Sequence, residues 1–271
     1  MIDDLKQNST GLPDTQNERD TRGIAINWVG VKGIRVPICL HEHDMRPQHS
    51  VALVDLSVNL PEHLKGTHMS RFVEVVQSHL SDPFQLAGFP SMLTSLQSRL
   101  DANHASVSMS FPIFVEKTAP ASGKKSLMDY SLTLRAKHLD GRCEQSLELH
   151  VPVTTLCPCS KAISRYGAHN QRGEVRLQVA FDEPPSLPQI IEAVESSASS
   201  QLYALLKRPD EKMVTEQAYE NPVFVEDLVR NTVLALRAIP GLKECRVEAE
   251  NFESIHNHNA YACVEVKLQS T

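Results

Sequence analysis

Hydrophobic and polar positions along this 271-residue chain fall into an order that occurs twice. Positions 24–36 are rich in β-branched and aromatic residues, with Gly30 and Gly33 interrupting, and 51–60 (VALVDLSVNL) alternate with period two, as a half-buried strand does. Positions 70–80 then place Phe72, Val75, Val76 and Leu80 at helical spacing behind a Ser that can cap. A second helix is predicted over 92–100, where Leu93, Leu96 and Leu100 share a stripe. Positions 105–115 and 128–139 read as strands joined by a polar connector, 116–126.

The second half has the same order. Strands are predicted over 146–156 and 174–181, helices over 187–206 and 222–239, and closing strands over 245–252 and 259–268. The last helix has the plainest signals: Asn221 to cap it, Pro222 at its first position, and Pro240-Gly241 to stop it. Val225, Leu228, Val229, Thr232, Leu236 and Ile239 form its apolar stripe. Two ββααββ units predict a duplicated α+β fold, each unit an antiparallel sheet with two helices on one face. The unit boundaries are 23–140 and 141–271. A sheet covered on one side leaves open edges, which favours assembly into a multimer.

Ahead of the first strand, residues 1–22 carry few large apolar groups and predict a mobile N-terminal arm. That segment lacks the charged start, apolar run and cleavage site of a secretory signal, so a cytoplasmic protein is expected. Hydrophobic residues make up 41% of the chain, enough for a sizeable core, with no membrane span among them. Lys and Arg number 27 against 33 Asp and Glu, a net charge of −6, so no broad basic surface awaits nucleic acid. Any anionic ligand must meet a local cluster. Six cysteines are too sparse for a disulfide scaffold, and free thiols are expected.

Chemistry concentrates in three polar segments of the second half. The first, VTTLCPCSKAISRYGAHNQRG, stands between two strands where a short turn would serve. Cys157 and Cys159 would point the same way from an extended backbone stiffened by Pro158, and His169 follows. Cys and His suit zinc or a similar ion, but the spacing matches no closed zinc-finger pattern, which points to an open site. The second segment, ENFESIHNHN, holds His256 and His258, with Glu253 close enough to orient an imidazole. The third, KRPDEKMVTEQAYENPVFVE, lies between the two long helices and carries Asp210, Glu211 and Glu226. Each has an ordinary alternative: a buried thiol, a solvated turn carboxylate for Glu211, an i,i+4 surface pair of Glu226 with Arg230. His41 and His43, without a supporting cluster, are read as surface residues.

Together these segments resemble the type IB GTP cyclohydrolases. LCPCSKAISRYGAHNQRG, LKRPDEKMVTEQAYENPVFVEDLVR, FESIHNHNAYA, KGTHMSRF and VGVKGIRVP carry the resemblance across nearly all of 23–268. It implies a tunnelling fold of tandem ββααββ units and a homotetramer with active sites at subunit interfaces. It implies conversion of GTP and water to 7,8-dihydroneopterin triphosphate and formate, the first step of tetrahydrofolate biosynthesis. By matching position, Cys157, His169, His256 and Glu211 are implied metal ligands for Zn²⁺, Mn²⁺ or Fe²⁺. Glu226 anchors the purine, Cys159 is a second active-site thiol, and the proton transfers that such a reaction needs fall to His256, His258 or Cys159. His68, Arg71 and Lys161 belong to the local basic supply for the triphosphate. Alternatives are a cyclohydrolase forming a cyclic phosphate, a thiol-dependent nitrile reductase, or a nucleotide-binding module without turnover.

Overall fold

The computed structural model describes residues 14–268. Its strands and helices follow the expected order, as β1 (Ile26–Leu40), β2 (Gln48–Leu60), α1 (Met69–Leu80), α2 (Ser91–Leu100), β3 (Ala105–Thr118) and β4 (Lys125–Leu139). The second half continues with β5 (Arg142–Leu156), a short α3 (Pro158–Ile163), β6 (Asn170–Phe181), α4 (Leu187–Glu195), β7 (Ser200–Gln201), α5 (Arg208–Glu220), α6 (Val225–Leu236), β8 (Leu242–Asn251) and β9 (Ala260–Lys267).

All the strands belong to a single nine-stranded sheet in the order β1-β2-β3-β4-β5-β6-β8-β9, with β7 pairing β5 off that path. The two units are therefore fused through their sheets. β4 and β5 pair antiparallel from Ser131↔His150 to Leu139↔Arg142. Their connection is the pair Asp140-Gly141, with φ of 48° and 78°. Both residues sit in the left-handed region, the conformation that a tight hairpin turn requires and that Asp-Gly adopts readily. The 140/141 boundary is thus a turn inside the sheet. β1 and β9 remain as its two edges.

Alternate residues from every inner strand face the helices. Leu56, Val107, Leu134, Leu147, Leu177 and Val247 are all essentially inaccessible and belong to one continuous core. Register carries that core across the junction of strands, since Leu149 of β5 lies opposite Leu177 of β6 and both are fully buried. The helix stripes read from the sequence close over this face, with Phe72, Val75, Val76 and Leu80 on α1 and Leu93, Leu96 and Leu100 on α2 buried. On α6 Val225, Leu228, Val229, Thr232 and Leu236 are buried as expected, and the Thr232 hydroxyl is satisfied by donating to the Leu228 carbonyl at 2.8 Å.

Three local expectations are corrected. The helix predicted over 187–206 ends at Glu195. A serine run follows, in which Ser196 and Ser197 donate back to the Ala193 carbonyl and Ser199 accepts from the Leu156 amide. Such side chains offer the backbone partners that compete with helix continuation. Conversely, 208–220, which the sequence places in a polar connection, is helical. Pro209 suits its first turn, and the Asp210 carboxylate accepts from the Lys207 amide at 2.8 Å. Finally, the helix predicted over 222–239 runs only from Val225 to Leu236, because Asn221 closes α5 instead and Phe224 stands at the N-cap. Residues 14–22, part of the segment expected as an arm, run beside 63–68: Asp20 donates its amide to the His63 carbonyl, Lys65 to Glu18 and Gly66 to Gln16. Residues 1–13 lie outside the described residues.

Candidate functional site

The C-terminal end of β5 delivers Cys157 to the start of α3. Pro158 occupies the first turn, and the Cys157 Sγ caps the helix by accepting from the Ser160 amide at 3.4 Å. Cys159 is therefore helical and exposed while Cys157 is half-buried, so the pair does not share one face of an extended segment. Pro fixes φ at a value that suits a helix start as well as an extended chain, and here the helix wins.

His169 returns the chain to β6 directly beside Cys157. The Cys157 amide donates to the His169 carbonyl at 3.1 Å, and the His169 amide donates to Ser160 Oγ at 2.9 Å. The His169 Nδ1 is 2.9 Å from Gln171 Oε1, and Gln171 Nε2 donates to Thr155 Oγ1 at 2.8 Å. The β8–β9 loop joins them, because the Phe252 amide donates to the Arg172 carbonyl at 2.9 Å. Glu253 consequently places Oε2 at 3.9 Å from His169 Nδ1. That oxygen is buried and has no hydrogen-bond partner among the described residues. The close approach of β6 and β8 here requires Gly173, since a Cβ at that position would stand 2.7 Å from Asn251 Oδ1.

Two further ties draw the helices toward this end of the sheet. The Val223 amide donates to the Leu156 carbonyl at 3.1 Å, which anchors the entry of α6 next to Cys157. Glu226 lies in the first turn of α6, where the helix dipole favours a carboxylate, and it is exposed. Arg230 bonds Asp227 at 2.9 Å, so the surface pair weighed for Glu226 is not formed. Lys161 of α3 donates to the Tyr219 carbonyl and lies 4.5 Å from the centre of that ring, joining α3 to α5.

Other predicted residues stand apart. Glu211 is exposed in the first turn of α5. Its neighbour Asp210 is fully buried and accepts from the Ala121 and Ser122 amides and the Ser122 hydroxyl, clasping the β3–β4 turn to α5. Burial alone would raise the Asp210 carboxyl, but those bonds outweigh it and hold it well below the usual range. His256 and His258 are exposed in the β8–β9 loop, their rings stacked with centroids 5.1 Å apart. His68 precedes α1 with Nε2 at 3.4 Å from Asp14 Oδ2, and Arg71 donates to the Arg99 carbonyl at 3.0 Å. Both belong to the first unit. His41 and His43 are exposed, as expected.

The structure thus gathers Cys157 and His169, adds Glu253, and ties the α6 entry to them. Among the described residues, no group of three or more His, Cys, Asp or Glu side chains is arranged to hold a metal ion. Gln171 and Thr155 lie within the first polar segment, but no residue type or spacing marks them there. Their signal is the strand alternation itself, because Gln171 and Gly173 continue the buried face of Val175 and Leu177. A cavity of about 470 Å³ lies elsewhere, walled by Lys117, Glu195, Gln201 and Tyr203. Its lysine is already paired with Glu195 and Gln201, and Glu195 accepts from the Tyr130 hydroxyl at 2.7 Å. No helix among the described residues is long and apolar enough to cross a membrane.

Known proteins share both the architecture and the sequence. The uricase of Arthrobacter globiformis superposes with a TM-score of 0.51 at 6% identity, covering 90% of this chain and 93% of that one. A hyper-thermostable AgUricase variant gives 0.57 at 7% identity, covering 89% and 92%. These likenesses establish the tunnelling fold. GTP cyclohydrolase FolE2 of Akkermansia muciniphila is 52% identical over 264 residues, covering 96% of this chain and 99% of that protein. GTP cyclohydrolase FolE2 2 of Dechloromonas aromatica is 48% identical over 257 residues, covering 95% of each. The family model for type I GTP cyclohydrolase FolE2 matches residues 12–262, and the chain belongs to that family.

Proposed function

We propose that this protein is a GTP cyclohydrolase of folate biosynthesis, converting GTP and water to 7,8-dihydroneopterin triphosphate and formate. The observation that carries the reading is the junction of Cys157, His169 and the α6 entry bearing Glu226, at one end of the sheet. It sits within a chain that is 52% identical to a GTP cyclohydrolase FolE2.

The donor types at this junction fit a divalent transition ion. A thiol and an imidazole stand on adjoining backbone, and a buried carboxylate oxygen beside the imidazole lacks a partner among the described residues. Cys157 and His169 would hold the ion, Zn²⁺, Mn²⁺ or Fe²⁺, with Glu211 and His256 completing the set. Bound there, such an ion supplies a water whose pKa is lowered toward neutrality. Glu211 and His256 are exposed and lie on separate elements. The loops of the site also expose Ile163, Tyr166, Phe252 and Ile255. Apolar side chains grouped around an incomplete site support completion by a second copy of the chain, in a homotetramer with sites between subunits.

The chain's own residues then have distinct tasks. The Glu226 carboxylate accepts from the guanine N1 and N2 groups, a pairing that an amide cannot reproduce. Lys161, His68 and Arg71 meet the triphosphate. Addition of water at C8 and cleavage of the bond from C8 to N9 require a proton at N9. A second water then adds at C8 of the resulting formamide, cleavage of the bond from C8 to N7 releases formate, and rearrangement of the ribose with closure onto N7 forms the pterin ring and gives one water back. With His256 on the ion, Cys159 and His258, whose ring stacks on that of His256, are the groups available to move these protons.

The test is to strip the purified protein of metal, add GTP with Mn²⁺, Zn²⁺ or Fe²⁺ singly, and follow formate together with the fluorescence of the oxidised pterin. Formate in step with a neopterin triphosphate is expected. GTP recovered intact under reducing, anaerobic conditions with each metal would overturn the reading.

A further inference from the structure

The imidazole of His169 is held by a row of polar groups that ends in the core. Gln171 is 7% exposed and lies opposite Thr155, which is fully buried, in the β5–β6 ladder. The row runs from Thr155 Oγ1 to Gln171 Nε2 at 2.8 Å, and from Gln171 Oε1 to His169 Nδ1 at 2.9 Å. Taken alone it can run in either direction. With the amide turned over, the Thr155 hydroxyl would donate to the amide oxygen, and the amide nitrogen would donate to a bare Nδ1.

Glu253 settles the direction. Its Oε2, buried and unpartnered among the described residues, lies 3.9 Å from the same Nδ1. A carboxylate there favours a proton on Nδ1 and disfavours a lone pair facing it. The ring nitrogen that donates to Gln171 Oε1 is then Nδ1, and the lone pair is left on Nε2.

We infer that Gln171 is a positioning residue that locks neutral His169 in its Nδ1–H tautomer and presents the Nε2 lone pair as the ligating atom. This rests on the proposal that His169 holds a metal. The mechanism is general: the partner of one imidazole nitrogen decides which tautomer the other nitrogen offers. Thr155 acts one step further back, by fixing which end of the Gln171 amide faces the ring.

The test uses the full-length, metal-free protein labelled with ¹⁵N-histidine, the His169 signals being assigned by their loss in His169→Asn. Wild type is expected to show a protonated Nδ1 and an unprotonated Nε2 in the neutral ring. Gln171→Met, which keeps the volume and removes both polar ends, is expected to mix the tautomers and to weaken Mn²⁺ or Zn²⁺ binding by about 10–100-fold. Gln171→Glu, which can only accept from Nδ1–H, is expected to restore the wild-type ring signature. If Gln171→Met does not fold, Thr155→Val serves in its place, with partial loss of the lock. A wild-type ring protonated on Nε2, or a lock unchanged in Gln171→Met, would overturn the inference. Unchanged metal affinity in His169→Asn would instead overturn the metal-site proposal, and the ring signature would distinguish the two failures.

Discussion

The two halves of the sheet use one plan for different ends. In the first, α1 and α2 bury continuous apolar stripes and the β3–β4 connection is a short turn closed by Ala119 and Lys124. In the second, the equivalent connections are enlarged: α3 and its following loop separate β5 from β6, and 252–259 separate β8 from β9. Those enlargements carry Cys157, His169, Glu253 and His256. The contrast teaches that the repeated frame supplies rigidity and that the residues proposed for the chemistry are added at one end of the second copy, on segments the frame does not need for its core.

The largest expected effect separates chemistry from frame. Cys157 is a helix cap with a half-buried thiol, and its side chain adds little to the core. Cys157→Ala is expected to lose bound metal and to lower formate release by more than the roughly 100-fold typical of losing a residue behind a ligand. Its thermal unfolding should stay close to wild type. Glu226→Gln should keep the metal and weaken GTP binding, by roughly 10–100-fold if one charge-assisted bond of about 1.5–3 kcal/mol is lost. Metal analysis, equilibrium GTP binding and a melting curve on both variants check the pair. Collapse of the fold in Cys157→Ala would show that the segment belongs to the frame after all.

An intermediate effect is expected where frame and site meet. Gly173→Ala forces a methyl to 2.7 Å from Asn251 Oδ1 and 3.0 Å from the Glu250 carbonyl, between two paired strands. Overpacking of this kind costs about 1–3 kcal/mol. Gly88→Ala, in the first unit, meets nothing within 4 Å and is the control. Chemical unfolding of both variants tests the difference, and equal stabilities would mean that β6 and β8 separate freely beside the site.

Much of the frame is legible in the sequence because burial imposes a period. The strand alternation from 51–60 and the stripe through Leu228, Val229 and Leu236 both reflect a single apolar face. Helix α5 gives no such signal, since only Asp210 and Ala218 are buried along it. Its start is marked by capping chemistry instead. The geometry at Cys157 is ambiguous in sequence because Pro158 is compatible with both outcomes, and the local cap from the Ser160 amide together with the Cys157 amide's bond to the His169 carbonyl decides it. Glu253 is recognisable as a neighbour for an imidazole, but the ring it approaches is that of His169, at the head of the adjoining strand β6, rather than the histidines of its own loop. Pairings of that kind depend on strand register, which local pattern does not contain.

The smallest effect concerns the face of the sheet away from the helices. In the first unit that face carries hydroxyls, as in the bond between Ser110 and Thr133 at 2.9 Å. In the second it carries charge: Glu148 lies 3.0 Å from His150, accepts from Gln178 at 2.9 Å, and reaches 2.9 Å across the unit boundary to Arg135 of β4. Burial alone would raise the Glu148 carboxyl, but the His150 bond and Arg135 outweigh it and hold it below its ordinary value of 4.5. A carboxyl depressed by folding adds stability above its unfolded pKa, and that contribution is lost as pH falls through the folded value. Glu148→Gln should therefore be less stable than wild type near neutral pH, by about 1 kcal/mol for a partly exposed network. The gap should close as pH falls below the ordinary carboxylate range. Ser110→Ala, its first-unit counterpart, carries no charge and should show a difference that does not change over the same pH interval. Parallel acid titrations of the two variants measure this, and a Glu148→Gln gap that persists at low pH would assign its effect to packing rather than charge.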